Sequence, residues 1–249
     1  MKNKFLSIVG SGLLLLLAAC GTKPTTDAGN TPSSSHDEVS KENEELTVTV
    51  VDEVFRSWKR KEAVWVSYSA ELKNENNVPI DVQRMYVEFL DEEDEVLEGV
   101  LLTPIPTIIM PNETAYVVDS LEIRDEGFTD PDKVKGITVE MEVAGTDDEL
   151  LKLETSNVQF EKKYENDSLP YEVTGTITNP HTKKIDHVEV AAGLYNDKGE
   201  LLAVLRIMND VNLGENDSVE FETFYPYLSD EIYGKVTKVK AIAYEDPQN

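Results

Sequence analysis

The stretch VWVSYSAEL at residues 64–72 decides the fold class, because an apolar or small side chain occupies every second position. The stretch YEVTGTITN at residues 171–179 alternates in the same way. A period of two is typical of a β-strand that buries one face. Both stretches therefore predict half-buried strands. Short helical turns are expected only near residues 130–134 and 229–234, where an Asp or a Ser precedes a polar turn.

An internal repeat becomes visible when the two halves of the chain are offset by 105 residues (177 minus 72). The triplet LKN at residues 72–74 then matches ITN at residues 177–179. A repeat of this length predicts two similar domains, residues 46–146 and residues 153–246, each built from six or seven short strands. The turn signals between the strands favour antiparallel sandwiches over a parallel sheet with crossover helices.

The N-terminus has the three regions of a secretory signal peptide. Lys2 and Lys4 give a basic start, and residues 5–17 are mostly apolar. This apolar stretch is too short for a membrane span, which takes about 20 apolar residues. The sequence LAAC that closes it, at residues 17–20, resembles the lipobox of bacterial lipoproteins.

The lipobox resemblance implies cleavage after Ala19 and a diacylglyceryl thioether on the sulfur of Cys20. The residues that flank the cleavage point are Leu17, Ala18 and Ala19. We therefore expect residues 1–19 to be removed, and the lipid to hold the mature chain on the extracytoplasmic face of the cell membrane. An ordinary signal peptide with an incidental Cys is the alternative. Residues 20–45 contain few aliphatic side chains, so we expect the lipidated Cys to be followed by a flexible, disordered tether.

The second half carries a series of motifs in a fixed order. These are YEVTGTITN at residues 171–179, LYNDKG at residues 194–199, and a return that runs from Leu213-Gly214 to Phe221. Together they resemble the FxLYD domain, an immunoglobulin-like β-sandwich frequent in secreted and lipid-anchored bacterial proteins. The resemblance implies binding or scaffolding more than catalysis.

The first half departs from this pattern at three positions. Ala70, Leu90 and Asp94 stand where the second half has Gly175, Tyr195 and Gly199. We expect a diverged copy of the same domain. The predicted fold class is therefore all-β, with two tandem immunoglobulin-like antiparallel β-sandwich domains after the signal peptide and the tether.

The charge balance excludes one class of partner. The chain has 23 Lys and Arg against 49 Asp and Glu, which gives a formal net charge of -26. A surface this acidic gains little by releasing counterions from a polyanion, so no nucleic acid partner is expected. The single Cys excludes an intramolecular disulfide and a zinc site built from several thiolates.

No catalytic residue, cofactor or metal site is expected. The sequence contains no GxSxG elbow, HExxH motif or P-loop, and its only Cys is assigned to the lipid. The acidic run at residues 91–95 and the turn at residues 196–199 are expected to be solvated hairpin tips. In the second tip, Asp197 is expected to accept local backbone donors and Gly199 to take a positive φ. A weak calcium site is the alternative for both tips.

One segment breaks the acidic pattern, the sequence FRSWKRK at residues 55–61. It lies between two predicted strands, so we expect it at the end of a hairpin. Either it is a solvated turn with Trp58 folded over the sandwich edge, or it contacts anionic headgroups, a wall polymer or an acidic partner. The candidate contact residues are Arg56, Trp58, Lys59, Arg60 and Lys61.

These features predict a non-enzymatic binding or scaffolding module of the bacterial cell envelope. Its membrane contact is the lipid anchor, and its expected partner is an envelope protein or polymer. An accessory solute- or ion-binding lipoprotein of a transporter is one alternative, although the α/β periodicity of such proteins is missing. A cell-wall-modifying enzyme is the other, and it requires a catalytic constellation that the sequence does not display.

Overall fold

The computed structural model describes residues 46–125, 127–162 and 171–246. Within these ranges the protein is all-β, with antiparallel sheets in a sandwich arrangement, which confirms the predicted fold class at this level. The described residues contain no helix with the length and apolar character needed to span a membrane. The predicted signal peptide (residues 1–19), Cys20 and the tether (residues 20–45) lie outside the described residues.

The described residues of the first half form seven strands in two sheets. The strands are β1 (Val48–Arg60), β2 (Ala63–Asn74), β3 (Ile80–Leu90), β4 (Val96–Leu102), β5 (Ile108–Ile109), β6 (Thr114–Glu122) and β7 (Gly136–Gly145). One sheet has the order β1-β2-β6, and in the other β3 pairs with β4, β5 and β7. All these pairings are antiparallel.

The described residues of the second half form six strands. They are β8 (Lys152–Lys162), β9 (Tyr171–Thr178), β10 (Ile185–Tyr195), β11 (Leu201–Leu213), β12 (Ser218–Thr223) and β13 (Lys238–Glu245). Their order is β11-β10-β13-β8-β9-β12. The path is continuous because the start of β8, at Lys152 and Leu153, pairs with β13, whereas the rest of β8 pairs with β9.

Each half has its own hydrophobic core, built from the inward positions of the alternating strands. In the first half Val66, Val87 and Phe89 belong to one cluster and are fully buried. In the second half Val190 and Leu194 belong to another and are also fully buried. Alternating side chains point to opposite faces of a strand, which is why these residues share one side.

The repeat is preserved in side-chain detail at Asn74 and Asn179. Both residues are fully buried, and the side-chain amide of each donates to the carbonyl oxygen of the residue four positions later. Those N–O distances are 2.8 Å to Val78 and 2.8 Å to Lys183. A buried amide needs such partners because an unsatisfied polar group costs about 1 to 3 kcal/mol. The two halves therefore use the same side-chain hydrogen bond to hold the loop after β2 and the loop after β9.

The halves also differ by a complementary change in size. Phe221 lies opposite Gly175 across β12 and β9, and a Cβ on Gly175 would come within 2.6 Å of the Phe221 ring. At the equivalent place in the first half, Val117 lies opposite Ala70. A larger residue on one strand thus accompanies a smaller one on its neighbour, as close packing requires.

The hairpin tips match the predicted positions, with one correction. Gly199 has a φ of 82°, as expected, and its counterpart Asp94 has a φ of 61°. The local backbone donors are accepted by Asn196 and not by Asp197: the Asn196 Oδ1 accepts from the backbone N–H of Lys198 at 2.9 Å. The first residue of the turn can reach the backbone two residues later, which is the geometry of an Asx turn.

Both predicted helical turns are present as short 3-10 turns. One covers Pro131–Lys133 and is capped by the side chain of Asp130, and the other covers Asp230–Ile232 and is capped by Ser229. A side-chain oxygen at the N-terminal cap satisfies a backbone N–H that has no partner within the turn. The prediction from the capping residues is therefore confirmed.

The prediction that strand β2 is half-buried is wrong. Ser67, Ser69 and Glu71 occupy its supposed solvent face, yet their exposed fractions are 4%, 2% and 8%. This face is covered because β10 and β11 of the second half pack against it, with Tyr116, Val118, Ala191, Tyr195 and Val204 in a shared cluster. The two halves form one compact unit, so their division into separate domains stays a prediction.

Candidate functional site

The basic segment lies at the end of the β1–β2 hairpin, but the prediction that it lies between two strands is wrong, because residues 55–60 are part of β1. Arg56, Trp58, Lys59 and Arg60 are the last part of β1, and Lys61 lies in the turn with a φ of 56°. Trp58 lies directly opposite Trp65 across the two strands. Directly opposed residues of an antiparallel pair point to the same face, so both indoles lie on the face of this sheet that packs against the second half.

The structure does not bring the four cations of this segment together as one exposed patch. The Nε of Arg56 donates to the carbonyl oxygen of Leu202 in the second half, at 3.3 Å. Burial lowers the pKa of Arg56, and the negative charge of Glu231 opposes that shift. Only Lys59 and Lys61 are exposed to solvent.

Arg60 is held by aromatic rings from both halves. Its guanidinium carbon lies 4.1 Å from the centroid of the Tyr227 ring and 5.5 Å from that of Trp65. Trp65 and Tyr227 meet edge to face with their centroids 5.3 Å apart. A cation over a ring face is attracted by the quadrupole of the ring, so Arg60 helps to fix the hairpin against the second half.

A groove of about 400 Å³ opens beside this hairpin end, and we call it the hairpin groove. Its charged lining residues are the cations Arg60, Lys61 and Arg124 and the acids Glu62, Glu122 and Asp125. The rings of Trp65 and Phe128 also line it. Charges of both signs beside aromatic rings suit a partner that carries polar groups and an apolar face.

The balance of charge distinguishes the hairpin groove from other grooves of this acidic protein. Among its described lining residues, a groove of about 720 Å³ near β3 and β4 has Arg84 as its one cation against the acids Asp81, Asp148 and Glu149. A groove at the first acidic hairpin tip has four acidic residues from the run at 91–95 and Asp125 around a single Lys133. An anionic partner is therefore repelled least at the hairpin groove.

A chain of buried hydroxyl groups joins the two halves. The hydroxyl of Tyr195 donates to the Oε2 of Glu71 at 2.6 Å, and the hydroxyl of Tyr116 lies 2.6 Å from that of Tyr195. Because the Tyr195 proton is engaged by Glu71, Tyr116 is the donor to Tyr195. The Nζ of Lys240 lies 3.7 Å from the other oxygen of Glu71.

Burial keeps the two tyrosine hydroxyls of this hydrogen-bonded chain protonated. It raises the pKa of Tyr195 and that of Tyr116 well above the usual range of a phenol, and the charge of Glu71 raises both further. Both hydroxyls therefore stay protonated and remain hydrogen-bond donors over the physiological pH range. A satisfied buried network of this kind selects one relative orientation of the surfaces that it joins.

Further polar contacts between the two halves surround the chain of buried hydroxyl groups. The Oδ2 of Asp52 accepts from the backbone N–H of Leu201 at 2.6 Å, and the hydroxyl of Tyr225 donates to Asp119 at 2.6 Å. Glu113 accepts from Tyr244 at 2.6 Å and from Lys152 at 2.7 Å. Although burial acts to raise it, these two hydrogen bonds hold the pKa of Glu113 below its usual range.

One buried carboxyl group near this interface has an unusual protonation equilibrium. Glu189 lies on the outer face of β10, opposite Tyr244, and only 6% of it is exposed. Burial raises the pKa of Glu189 to about 7; the charge of Asp246 also raises it, and that of Arg206 opposes the shift. The group therefore changes its charge near neutral pH.

The acidic hairpin tips have a structural role in the described residues. The Oδ1 of Asp91 accepts from the backbone N–H groups of Glu93 and Glu95, each at 2.9 Å. Among the described residues, no three His, Cys, Asp or Glu side chains gather in an arrangement that could hold a metal ion. The hydrogen bonds of Asp91 thus stabilise the turn of the first acidic tip.

Sequence reasoning identified the hairpin but missed its partners. Tyr227 and Arg124 lie more than 60 residues away from Trp58 along the chain, so no local pattern connects them with the hairpin. The sequence shows Tyr195 only as part of the LYNDKG motif at residues 194–199, although this residue is central to the interface between the halves. Cys20 and the residues around it lie outside the described residues, so their role stays a prediction.

No protein-family model matches the chain, and no curated protein is similar enough to match it.

Proposed function

We propose that this protein is a lipid-anchored, non-enzymatic binding and scaffolding module on the extracytoplasmic face of a bacterial cell membrane. In this proposal Cys20 carries the lipid, and residues 20–45 connect it to two immunoglobulin-like sandwiches, the second of FxLYD type. The N-terminal LAAC sequence and the all-β fold support the proposal. The partner is an envelope protein or polymer.

The observation that carries the proposal is the hairpin groove. It combines cations and aromatic rings on a protein whose formal net charge is -26. Arg60 is already positioned by Tyr227 and Trp65, so its side chain loses little additional freedom when a partner binds. Preorganised side chains of this kind raise affinity because less entropy is lost on binding.

The buried interface supports a scaffolding role. The hydroxyl chain of Glu71, Tyr195 and Tyr116 holds the two halves in one orientation. A module with a fixed shape presents its hairpin groove at a defined distance from its other surfaces. A flexible pair of domains could not do so.

The lipid anchor is tested by growing cells with an alkyne-tagged palmitate. The wild-type chain should become labelled and should sediment with membranes. A Cys20→Ala chain should be unlabelled, because the thioether requires the Cys20 sulfur. Labelling of the Cys20→Ala chain would contradict the proposed anchor.

The binding role is tested with the mature chain from residue 20 carrying Cys20→Ala, mixed with isolated cell envelopes. Lys59→Glu with Lys61→Glu should reduce co-sedimentation at least fivefold, because Lys61 lines the hairpin groove and Lys59 is the other exposed cation of the basic segment, whereas Arg56 and Arg60 also contact the second half. The matched control is Lys198→Glu with Lys235→Glu, which makes the same charge change at two exposed positions of the second half. Equal losses in both variants, or no loss in either, would refute a role for the hairpin.

The same preparation separates the alternatives. A transporter-associated solute-binding protein should bind a small solute in equilibrium dialysis against envelope extract, independently of Lys59 and Lys61. A wall-modifying enzyme should release fragments from isolated walls. Either result would replace the scaffolding proposal.

A further inference from the structure

The second half carries an open groove of about 710 Å³ on the face formed by β8, β9 and β12, and Ile207 and Asn209 of β11 also line it. We call it the amide groove, and its characteristic lining residues are Asn157, Gln159, Thr174, Thr176, Asn209 and Phe224. By the internal repeat, this face corresponds to the β1-β2-β6 face of the first half. The β1-β2-β6 face is covered by the second half, whereas the groove leaves its counterpart open.

The residues on the two equivalent faces differ in a way that argues against protein docking on the second one. Tyr116 lies opposite Glu71 in the covered face, and at the corresponding place Glu220 lies opposite Thr176. Val118 of the covered face is likewise replaced by Glu222, offset by the same 104 residues (222 minus 118). The aromatic and aliphatic groups that bind a sandwich are thus replaced by carboxylates. Docked protein surfaces are depleted in such charged residues at their core.

The chemistry of the amide groove suits a ligand rich in hydroxyl groups. The side-chain amides of Asn157, Gln159 and Asn209 each offer both donors and an acceptor, and the Thr hydroxyls can do either. A sugar hydroxyl also donates and accepts, so each of these amide and hydroxyl groups can form a hydrogen bond with it. Phe224 is 36% exposed and offers an apolar ring against which the C–H face of a sugar can pack.

The backbone at Asn157 orients side chains of the amide groove, and the charged residues of the groove favour one class of sugar. Asn157 lies at an irregularity of β8 between Ser156 and Gln159, with a φ of 53°, and such a bulge re-aims the side chains beside it. Among the described residues that line the groove, the charged side chains are both carboxylates, Glu220 and Glu222. They disfavour an anionic polymer and a second copy of this acidic chain, and they favour a neutral or amino sugar.

We propose that the amide groove is a binding site for an oligosaccharide of neutral or amino sugars. Its volume lies within the range of about 300 to 1,000 Å³ that is usual for ligand sites. The proposal goes beyond the binding role of the hairpin groove, because it uses a different face, different residues and a ligand of a different charge class.

The test uses the full-length chain in a detergent that has no sugar headgroup, titrated calorimetrically with defined tetrasaccharides. A tetramer of N-acetylglucosamine or maltotetraose should give saturable heat at millimolar concentration, and tetragalacturonate, which is anionic, should give none. Gln159→Ala with Asn209→Ala should weaken binding of the neutral sugar at least tenfold, since two pairs of amide hydrogen bonds are lost. Thr176→Val, which keeps the shape and removes one hydroxyl, should weaken it by a smaller factor.

The matched control is Lys59→Glu with Lys61→Glu, which changes the hairpin and should leave sugar binding unchanged. If the Gln159→Ala, Asn209→Ala chain loses sugar binding but keeps envelope binding, and the Lys59→Glu, Lys61→Glu chain does the reverse, the two roles belong to separate sites. Absence of heat with both neutral tetrasaccharides would overturn the proposal. Wild-type affinity in the Gln159→Ala, Asn209→Ala chain, with an unchanged unfolding midpoint, would also overturn it. So would tighter binding of tetragalacturonate than of the neutral tetrasaccharides. Self-association through this face in sedimentation velocity would overturn it as well.

Discussion

Replacing Tyr195 by Phe should loosen the interface between the two halves without changing its shape. Tyr195 is 2% exposed, so the change removes one buried oxygen and leaves the ring in place. Its hydroxyl donates to Glu71 at 2.6 Å and lies 2.6 Å from the hydroxyl of Tyr116. Both groups lose their partner, although Lys240 remains 3.7 Å from Glu71.

The expected cost follows from these contacts. A hydrogen bond to a charged acceptor contributes about 1.5 to 3 kcal/mol, and a second buried hydroxyl is left without its acceptor. The remaining contact with Lys240 offsets part of the loss, so we expect the free energy of unfolding to fall by about 2 kcal/mol. With a urea slope of about 2.5 kcal/mol per molar, the midpoint should fall by about 0.8 M.

Urea unfolding followed by two probes checks this prediction. Both tryptophans of the chain, Trp58 and Trp65, lie in the first half, so their fluorescence reports that half, whereas far-ultraviolet circular dichroism reports all the strands. The two transitions should coincide in the wild type and separate in Tyr195→Phe. Tyr233→Phe is the control, because Tyr233 is 52% exposed and its change should cost less than about 0.5 kcal/mol. Coincident transitions and equal midpoints in the two variants would refute a stabilising role for the hydroxyl chain.

Two further predictions concern packing and pH. Gly175→Ala should destabilise the second half by about 1 to 2 kcal/mol through its clash with Phe221, and Gly175→Ala with Phe221→Val should cost at least about 1 kcal/mol less than the sum of the single changes; additive free energies from urea unfolding would contradict this. The pKa of Glu189 near 7 lies above its unfolded value, so stability should fall as pH rises from about 4.5 to about 7. Glu189→Gln should therefore raise the free energy of unfolding at pH 8 by at most about 3 kcal/mol and leave it nearly unchanged at pH 4, and a gain independent of pH would contradict the assignment.

Much of the strand architecture was predictable because its signals are local. The alternation at residues 64–72 and 171–179 lies within β2 and β9, and Gly199 takes the positive φ expected at a hairpin tip. Turn geometry depends on a few neighbouring residues, which the sequence displays directly. The one misplaced contact, Asp197 in place of Asn196, shows that two adjacent oxygen-bearing side chains are hard to tell apart without coordinates.

The candidate site was predictable only in part. The basic segment at residues 55–61 was visible because its charge opposes that of the whole chain, but the structural use of Arg56 and Arg60 was not. The carbonyl group that Arg56 contacts belongs to Leu202, 146 residues later. Contacts at such separations depend on how two surfaces meet, and no periodicity encodes that.

By itself, the sequence determined that this protein is built from antiparallel strands in two similar halves. That information is carried by the alternation of side chains and by a repeat, both of which are properties of neighbouring residues. Only the tertiary structure decided which sheet faces are covered. Ser69 and Glu71 are polar residues with the pattern of a solvent face, yet they are buried because Val204 and Tyr195 of the second half supply their hydrogen bonds. A polar side chain is stable either in water or when it is hydrogen-bonded to a partner in the protein. The amino-acid sequence alone does not show which of these two environments it occupies.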